Sequence, residues 1–415
     1  MSRTREVAVT GFGILACNGM GKEAFWDALR TGQSGIRQID RFDASPYPCQ
    51  IAGQLWDFNP EDFMRKADVR RWHRYVHQAL ASSRMAIEDS EMMSAGLDPE
   101  RIAVGIGTSV GAPDDHYLKY REQFEENGWR RINKFASSAS SAHSSTVNVS
   151  VNFGFKGPAT TIASGCATGL EVMDWGVQQI RSGRADAALV GATEAPLTAM
   201  TLAVSCSLGI LSSRNAEPEL AMRPFDRDSD GLVLAEAAAA FMLERADIAR
   251  ARGAQIYALI DGYGASSEAH SPLTLDEEGE ALGTAIQKSL ASAGVSPREL
   301  DAAFCHGVSL PMYDRGEANA YKRALGDSAY RIPISATKSM VGQPYAAGGM
   351  MGVGAALLAF KDGTISPTIN LDNPDPLCDL DFVAQESRVN DVDAALVTAM
   401  SFGGTHNALV LRRMN

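Results

Sequence analysis

The sequence predicts an α/β protein in which layers of helices cover extended sheets. Two observations support this fold class. Short apolar segments alternate with helical patterns along most of the chain, and segments of the first half recur in the second. The chain has 415 residues, of which 45% are hydrophobic and 21% charged, a composition that can form a large buried core. Alternation on this scale is typical of layered sheets and helices.

Strands are predicted where short apolar runs carry few polar residues. A strand that is buried on both faces needs apolar side chains at successive positions. Its sequence is therefore a continuous apolar run and does not alternate between apolar and polar residues. Six segments have this character: Glu6–Thr10, Ile102–Ile106, Ala187–Val190, Ile256–Ile260, Ala302–Phe304 and Ala394–Val397.

Helices are predicted between these runs, where apolar residues recur at helical spacing. The segments are Glu23–Leu29, Trp72–Asp89, Gly169–Arg181, Leu275–Ala293 and Glu317–Leu325. A further charged segment, Glu244–Gly253, favours a short helix that ends at its glycine, because glycine is the preferred residue just beyond a helix C-terminus.

Three pairs of similar segments indicate an internal duplication. Ala185–Ala192 resembles Val392–Ala399, residues 99–107 resemble residues 297–305, and Thr10–Gly13 resembles Asp261–Gly264. The spacing between these segments differs between the halves, which excludes an array with a fixed repeat length. We therefore predict two halves of related fold, residues 1–253 and residues 254–415.

Composition excludes several classes of protein. There are 38 Lys and Arg against 50 Asp and Glu, so the net charge is −12, which argues against non-specific binding to nucleic acid. Six scattered cysteines without a CxxC pair form neither a disulfide framework nor a zinc ribbon. The N-terminus has no signal-peptide pattern, and the longest apolar run, Gly231–Leu243, is short and contains Glu236. The prediction is a cytoplasmic protein without a membrane span.

Two motifs are weak indicators of cofactor or metal binding. Gly11–Ala16 fits GxGxxA, but Asn18–Gly21 separates it from the next helix, so we predict a tight turn here rather than a dinucleotide site. His73 and His77 lie one helical turn apart without an HExxH motif or a third ligand, so no metal site is predicted.

Cys166 is the strongest candidate for chemistry. It lies in Thr160–Gly169, where an apolar strand passes through small residues into a helical segment. A thiol at the N-terminus of a helix is expected to have a lowered pKa and backbone N–H groups nearby. On this local context alone, a buried structural cysteine is an equally good interpretation.

Three further clusters contain polar side chains in small-residue loops. They are Phe304–Pro311 with His306, Ser335–Gln343 with Lys338, and Ser401–Thr405 with Phe402. Taken singly, each is more typical of a core or loop segment than of an active site.

Together these clusters resemble the beta-ketoacyl-[acyl carrier protein] synthases, ketosynthase II-like condensing enzymes of the thiolase superfamily. The resemblance covers nearly the whole chain, and its motifs occur in the expected order: Phe153–Pro158, Arg223–Glu236, Lys338–Met340 and Phe402–Thr405. It implies a thiolase-like fold whose duplicated halves form a five-layered α-β-α-β-α sandwich, and so it also accounts for the internal similarity.

The resemblance implies a role for each matching residue. Cys166 corresponds to the acyl-accepting nucleophile, His306 to the first active-site histidine and Lys338 to the lysine that supports it. Glu317 corresponds to a structural acidic residue near the site. Phe402 corresponds to a gating phenylalanine whose backbone N–H pairs with that of Cys166 as an oxyanion hole.

The reaction implied by the resemblance is a decarboxylative Claisen condensation. An acyl group on the cysteine is attacked by the carbanion or enolate that malonyl-acyl carrier protein forms when it loses CO2. Substrates arrive on the phosphopantetheine of a carrier protein, and neither a metal nor a redox cofactor is expected.

The chain departs from the family pattern at its second histidine, where it has Gln343. An amide keeps an N–H donor but has no ionisable ring. Val308 and Leu310 replace hydroxyl residues that commonly hold the phosphopantetheine arm, and Gly165 and Ala167 flank the cysteine in place of the more usual Ala and Ser. We therefore expect a specialised fatty-acid or polyketide synthase.

Two alternatives stay open. One is an acyltransferase of the same fold that loads Cys166 without elongating the chain. The other is a non-catalytic chain-length partner subunit of a ketosynthase heterodimer, against which the presence of Cys166 argues.

The expected partners are an acyl carrier protein and a second ketosynthase-like subunit, identical or related. Because carrier proteins are acidic, a basic surface patch is expected. The candidates are Arg65, Lys66, Arg70 and Arg71, or Arg130 and Arg131.

Overall fold

The computed structural model describes residues 5–111, 113–139 and 141–414. The strands are β1 Val7–Ala16, β2 Gly19–Met20, β3 Arg37–Gln38, β4 Ile51–Ala52, β5 Ile102–Gly107, β6 Ala159–Thr160, β7 Ala187–Glu194, β8 Ala237–Arg245, β9 Ala258–Ser267, β10 Ala302–Phe304, β11 Ile334–Ser335, β12 Thr364–Ile365, β13 Arg388–Val389, β14 Ala394–Met400 and β15 Thr405–Arg412. The α-helices are α1 Lys22–Arg30, α2 Lys66–Arg71, α3 Arg74–Asp89, α4 Pro113–Asn127, α5 Ala136–Ala139, α6 Ser144–Phe153, α7 Thr168–Arg181, α8 Ala199–Ser207, α9 Ala246–Ala251, α10 Glu280–Ala293, α11 Pro311–Leu325, α12 Lys338–Val341 and α13 Gly348–Asp362.

The main sheet consists of two sets of strands with the same order. The first half contributes β6-β5-β7-β8-β1 and the second contributes β11-β10-β14-β15-β9. At each equivalent step the strands are parallel or antiparallel in both sets. The two sets meet where β1 pairs with β9 through Ala8–Leu259 and Val9–Ala258. The matching order confirms the predicted duplication of the fold.

The similar segments of sequence occupy equivalent places in the two sets. Ala185–Ala192 leads into and forms much of β7, and Val392–Ala399 does the same for β14. Residues 99–107 and 297–305 each form a short 3-10 turn followed by β5 or β10. Thr10–Gly13 lies in β1 and Asp261–Gly264 in β9. The boundary between residues 253 and 254 stays a prediction.

Five layers follow from how the helices pack. Helices α7 and α13 contact each other and lie between the two sets of strands, α7 on β5 and β7 and α13 on β10 and β14. Helix α3 covers the outer side of β1, β7 and β8, while α10 and α11 pack together beside β9 and β15. This is the α-β-α-β-α arrangement of the thiolase-like fold. The central helix α13 is buried from Gly348 to Phe360, so it shows no polar face and was not predicted from helical periodicity.

The prediction of a tight turn at Gly11–Ala16 is wrong. Gly11 and Gly13 lie inside the buried strand β1, against α3. A Cβ atom on Gly13 would lie 2.3 Å from the backbone oxygen of Ser82, so these glycines allow close packing of helix on strand. The GxGxxA pattern therefore reflects packing and not a phosphate-binding loop.

The apolar run Gly231–Leu243 enters strand β8 at Ala237. Its Glu236 is fully buried and accepts hydrogen bonds from the guanidinium groups of Arg41 and Arg74 at 2.6–3.0 Å. Across residues 5–111, 113–139 and 141–414, no helix has both the length and the apolar character needed to cross a bilayer.

Candidate active site

Cys166 lies in a sharp turn immediately before helix α7. Gly165 takes a left-handed conformation, with φ of +64°, which glycine adopts without steric cost. The Thr168 hydroxyl donates to the Gly165 carbonyl oxygen at 2.7 Å and accepts from the Ser164 N–H at 2.8 Å. Asn407 of β15 donates to the Ala167 carbonyl oxygen at 3.0 Å, so the second half of the chain also holds this turn.

His306 follows strand β10 and is held by a carboxylate of α11. Glu317 accepts the backbone N–H groups of His306 and Gly307, each at 2.7 Å, and the Thr398 hydroxyl at 2.7 Å. Burial raises the pKa of Glu317, and these donors, together with Lys338, oppose the shift. Glu317 thus fixes the backbone at His306.

Lys338, the first residue of α12, sets the protonation of the imidazole. Its Nζ lies 3.0 Å from Nδ1 of His306 and also donates to the His306 backbone oxygen. The Met400 N–H lies 3.3 Å from the same Nδ1. With two donors directed at it, Nδ1 is the acceptor of a neutral ring, and the ring proton belongs to Nε2.

The electrostatics keep this ring neutral. Burial and the nearby charge of Lys338 hold the pKa of His306 well below its ordinary value. Nε2 has no hydrogen-bond partner among the described residues. The arrangement therefore presents one oriented N–H donor to a substrate.

Gln343 brings a second N–H donor directly to the sulfur. Its Nε2 lies 3.5 Å from Sγ of Cys166. The backbone of Gln343 is fixed by hydrogen bonds with Val233 at 2.8 Å and Ala235 at 3.1 Å. Its Oε1 is buried and has no partner within the described part of the chain. The first half thus supplies the thiol, and the second half supplies both donors.

The prediction of a lowered thiol pKa is wrong for this closed site. Burial raises the pKa of Cys166 to about 12, although Lys338 and the backbone N–H groups of Cys166 and Phe402 act in the opposite direction. A fully buried anion loses its hydration, and here that loss outweighs the favourable position before a helix. The resting sulfur is a neutral thiol.

The expected oxyanion hole is occupied by a side chain. The Cys166 N–H donates to Oγ of Ser401 at 3.1 Å. The backbone N–H of Phe402 is directed at the sulfur itself. Its pairing with the Cys166 N–H as an oxyanion hole stays a prediction. Gly403 and Gly404 follow with φ of +82° and +75°, so the segment that carries Phe402 bends sharply back into β15.

Motif reasoning missed Ser401, Tyr313 and Tyr345. The Phe402 ring lies 5.4 Å from the Tyr313 ring, which lies 6.3 Å from the imidazole of His306. The Tyr313 hydroxyl is buried without a partner in the described structure, whereas that of Tyr345 bonds to Ser205. Ser401 lies in the Ser401–Thr405 motif, in which only Phe402 was assigned a role. Its polar side chain next to the predicted gating residue was the signal that could have identified it.

Known proteins match the chain along its length. The family models described as beta-ketoacyl synthase, N-terminal domain and beta-ketoacyl synthase, C-terminal domain match residues 4–249 and 257–372. The chain belongs to the beta-ketoacyl synthase family. Among its relatives, a 3-oxoacyl-[acyl-carrier-protein] synthase 2 of Coxiella burnetii is 37% identical over 410 residues, 99% of each chain. The tetracenomycin polyketide synthase ketoacyl synthase alpha subunit of Streptomyces glaucescens is 37% identical over 416 residues, 99% of this chain and 97% of that protein.

Solved structures agree with the synthase fold. One is a type II polyketide synthase acyl carrier protein in complex with its ketosynthase bound to the hexaketide, with a TM-score of 0.91, 30% identity and complete coverage of both chains. Another is the ishigamide ketosynthase/chain length factor, with a TM-score of 0.92, 30% identity and the same coverage. The thiolase-like fold predicted from the sequence is confirmed.

Proposed function

We propose that this synthase forms carbon–carbon bonds by decarboxylative Claisen condensation of an acyl-Cys166 intermediate with malonyl-acyl carrier protein. The observation that carries the proposal is the 3.5 Å approach of the Gln343 amide nitrogen to Sγ of Cys166. This contact supports a role for Gln343 as a second N–H donor beside the neutral His306, although the second histidine of the family pattern is absent.

In the first half-reaction, the Cys166 sulfur attacks the acyl thioester of a carrier protein. A bond forms between sulfur and the acyl carbon, the oxyanion is held by backbone N–H groups, and the carrier thiol leaves with a proton. Because His306 is held neutral and its Nδ1 already accepts two donors, the thiol proton passes to the leaving thiolate and not to the imidazole.

In the second half-reaction, the malonyl thioester loses CO2 and becomes an enolate, whose negative charge lies on the thioester oxygen. The N–H groups of His306 and Gln343 would donate to that oxygen, which strengthens their interaction as negative charge develops. The enolate carbon then attacks acyl-Cys166, the carbon–sulfur bond breaks, and the 3-ketoacyl chain leaves on the carrier. The sulfur departs as a thiolate and takes up a proton from water to restore the resting thiol. No electron transfer or Lewis acid enters these steps, so we propose that no metal or redox cofactor takes part.

A specialised acyl substrate is part of the proposal. Val308 and Leu310 supply no hydroxyl for the phosphopantetheine arm, and Val308 is buried. Two tyrosines, Tyr313 and Tyr345, lie close to Cys166, and burial raises the pKa of each hydroxyl. We expect poor turnover with ordinary saturated acyl chains.

The proposed partners are an acyl carrier protein and a second ketosynthase-like subunit. Two helices expose apolar stripes that a partner subunit would cover: Val147 and Val151 on α6, and Met200, Val204 and Leu208 on and just beyond α8. The Arg65 and Lys66 side chains are exposed, which suits contact with an acidic carrier. Six free thiols fit a reducing compartment, and we propose the cytoplasm.

The test follows each half-reaction separately. Purified protein receives a panel of acyl carriers, and intact-mass spectrometry records the adduct on Cys166. Malonyl carrier is then added, and CO2, loss of the adduct and 3-ketoacyl product are measured. We expect all three in equal amounts. Loading without CO2 release would identify an acyltransferase, and absence of loading by every carrier would identify a non-catalytic partner subunit.

Gln343→Met provides the matched variant, because methionine keeps the length of the side chain and removes the N–H donor. We expect CO2 release to fall about 10²-fold, the usual effect of losing one oxyanion donor. Gln343→His, which restores a ring donor, should stay within about tenfold of the wild type. Equal activity of the Met variant and the wild type would remove Gln343 from the mechanism.

A further inference from the structure

The Ser401 hydroxyl already engages the backbone N–H of Cys166, a donor that the proposed acylation would use. The side chain is almost fully buried, at 2% exposure. Its Oγ accepts the Cys166 N–H at 3.1 Å and donates to the Phe402 carbonyl oxygen at 3.1 Å. The hydroxyl thus bridges the nucleophile turn and the backbone of the gating residue.

The turn before Cys166 is shaped to admit this oxygen. A Cβ atom on residue 165 would lie 2.0 Å from Ser401 Oγ, far inside van der Waals contact. Gly165 is therefore required twice, for its φ of +64° and for the space that the hydroxyl fills. The two residues are 236 positions apart in the chain and form one packed unit.

This arrangement conflicts with acylation as it stands. A backbone N–H has one proton, and an acyl oxygen needs that proton when the tetrahedral intermediate forms. We propose that Ser401 caps the oxyanion-binding N–H of Cys166 in the resting enzyme and that its hydroxyl must rotate away before each acylation. The inference rests on the proposed loading of Cys166 and makes Ser401 a positioning residue that controls when loading occurs.

The cap is linked to the segment that carries Phe402. Ser401 N–H donates to the Thr405 oxygen at 2.9 Å, and the Gly404 N–H donates to the Ser401 oxygen at 3.0 Å. Rotation of the hydroxyl also breaks its bond to the Phe402 carbonyl. A substrate that displaces this segment as it enters therefore uncaps the N–H, whereas a small thioester that leaves the segment in place meets a capped site.

The test compares acylation with alkylation of the same sulfur. A small probe, hexanoyl-N-acetylcysteamine thioester, is reacted with the full-length wild type and with Ser401→Ala, and single-turnover loading is followed by intact mass. We expect loading of the variant to be about five- to tenfold faster, since the two hydrogen bonds of the Ser401 hydroxyl no longer have to be broken. Iodoacetamide, whose reaction forms no oxyanion, should alkylate both proteins at rates within about twofold of each other.

Ser401→Thr, which retains the hydroxyl, is the matched control and should load no faster than the wild type. Loading of the Ala variant that is tenfold slower would overturn the proposal and make the hydroxyl a donor to the oxyanion. Equal loading, or no loading of either protein, would overturn it as well. If both proteins are alkylated but no carrier ever acylates the wild type, the proposed function fails on its own separate measurement.

A second pair of variants tests the geometry. Gly165→Ala should load at least about tenfold more slowly, because the positive φ strains the turn that carries Cys166 and because a Cβ that displaces Ser401 Oγ also disturbs the Phe402 backbone to which it bonds. Adding Ser401→Gly removes the collision and leaves the strain unchanged. We expect the double variant to recover part of the loading rate; no recovery would show that the two side chains do not compete for this space.

Discussion

The two sides of the candidate active site are held in different ways. On the His306 side, Lys338 and Glu317 engage every polar atom of His306 except Nε2. On the sulfur side, made of Cys166, Gln343 and Ser401, one weak contact of 3.5 Å joins Gln343 to the thiol. There, the Gln343 amide oxygen has no partner among the described residues, and the Cys166 N–H is held by the Ser401 hydroxyl.

The difference corresponds to what each side must do. A donor that stabilises developing charge is most effective when its orientation is fixed before the reaction, and the His306 side is fixed by buried, charge-assisted bonds. The sulfur side must admit an acyl group, hold it covalently and release it, so its polar groups need alternative partners. The chain therefore combines a rigid donor with an adjustable nucleophile site.

The largest effect is expected from breaking the rigid side with Lys338→Met. Nδ1 of His306 then keeps only the Met400 N–H, and the pKa of His306 rises because the nearby positive charge is gone. We expect malonyl-dependent CO2 release to fall about 10²–10³-fold, comparable with the loss of an oxyanion donor. Thermal stability should also fall, because the buried Glu317 loses a compensating charge.

Lys322→Met is the control for this variant. Lys322 lies on α11, pairs with the exposed Asp379, and is remote from His306 in its contacts. Its removal should leave CO2 release within about twofold of the wild type. If Lys338→Met retained most of the wild-type activity, the contacts that Lys338 makes to His306 would not contribute to catalysis.

A smaller but steady effect is expected from pH on the sulfur side. The folded pKa of Cys166 is raised to about 12, so between about pH 6.5 and 8.5 the thiolate is a minor species whose fraction grows about tenfold per pH unit. The rate of alkylation by iodoacetamide should follow that slope without a plateau. His306, whose pKa is held well below its ordinary value, stays neutral over the same range. The measurement is adduct mass against time at three pH values in that window.

A plateau in that profile would favour the interpretation drawn from the sequence, in which the helix N-terminus keeps the thiol ionised.

The difference between the thiol pKa expected from the sequence and that of the folded chain shows which properties a sequence can predict. The small-residue turn, Cys166 and the helix after it were all predictable, because they are local. The pKa depends on complete burial by distant segments, which no local pattern encodes.

The same distinction holds elsewhere in the chain. The equivalence of β7 and β14 was visible because similar residues recur, and the motifs around His306 and Lys338 led to a site that the structure brings together. The contact between Gly165 and Ser401 was not predictable, because it joins segments that are far apart in the sequence. The turn predicted at Gly13 is wrong because glycine is common both in turns and at close helix–strand contacts. Only the residues packed against Gly13 distinguish the two cases.

The smallest effect concerns the boundary between the two sides, where the ring of Tyr313 lies between His306 and Phe402. Its hydroxyl is buried and unpaired in the described structure. A buried hydroxyl without a partner costs about 1–3 kcal/mol, so Tyr313→Phe should raise the free energy of unfolding by about 1 kcal/mol. Loading of Cys166 and CO2 release should stay within about twofold of the wild type if substrate contacts are confined to the thiol and the two N–H donors.

Tyr345→Phe is the matched control: its hydroxyl bonds to Ser205, so removing it should lower stability by about 1 kcal/mol. A Tyr313→Phe variant with unchanged stability and a raised KM for malonyl carrier would instead place a third polar contact on the gate, and the rigid side would then extend as far as Phe402.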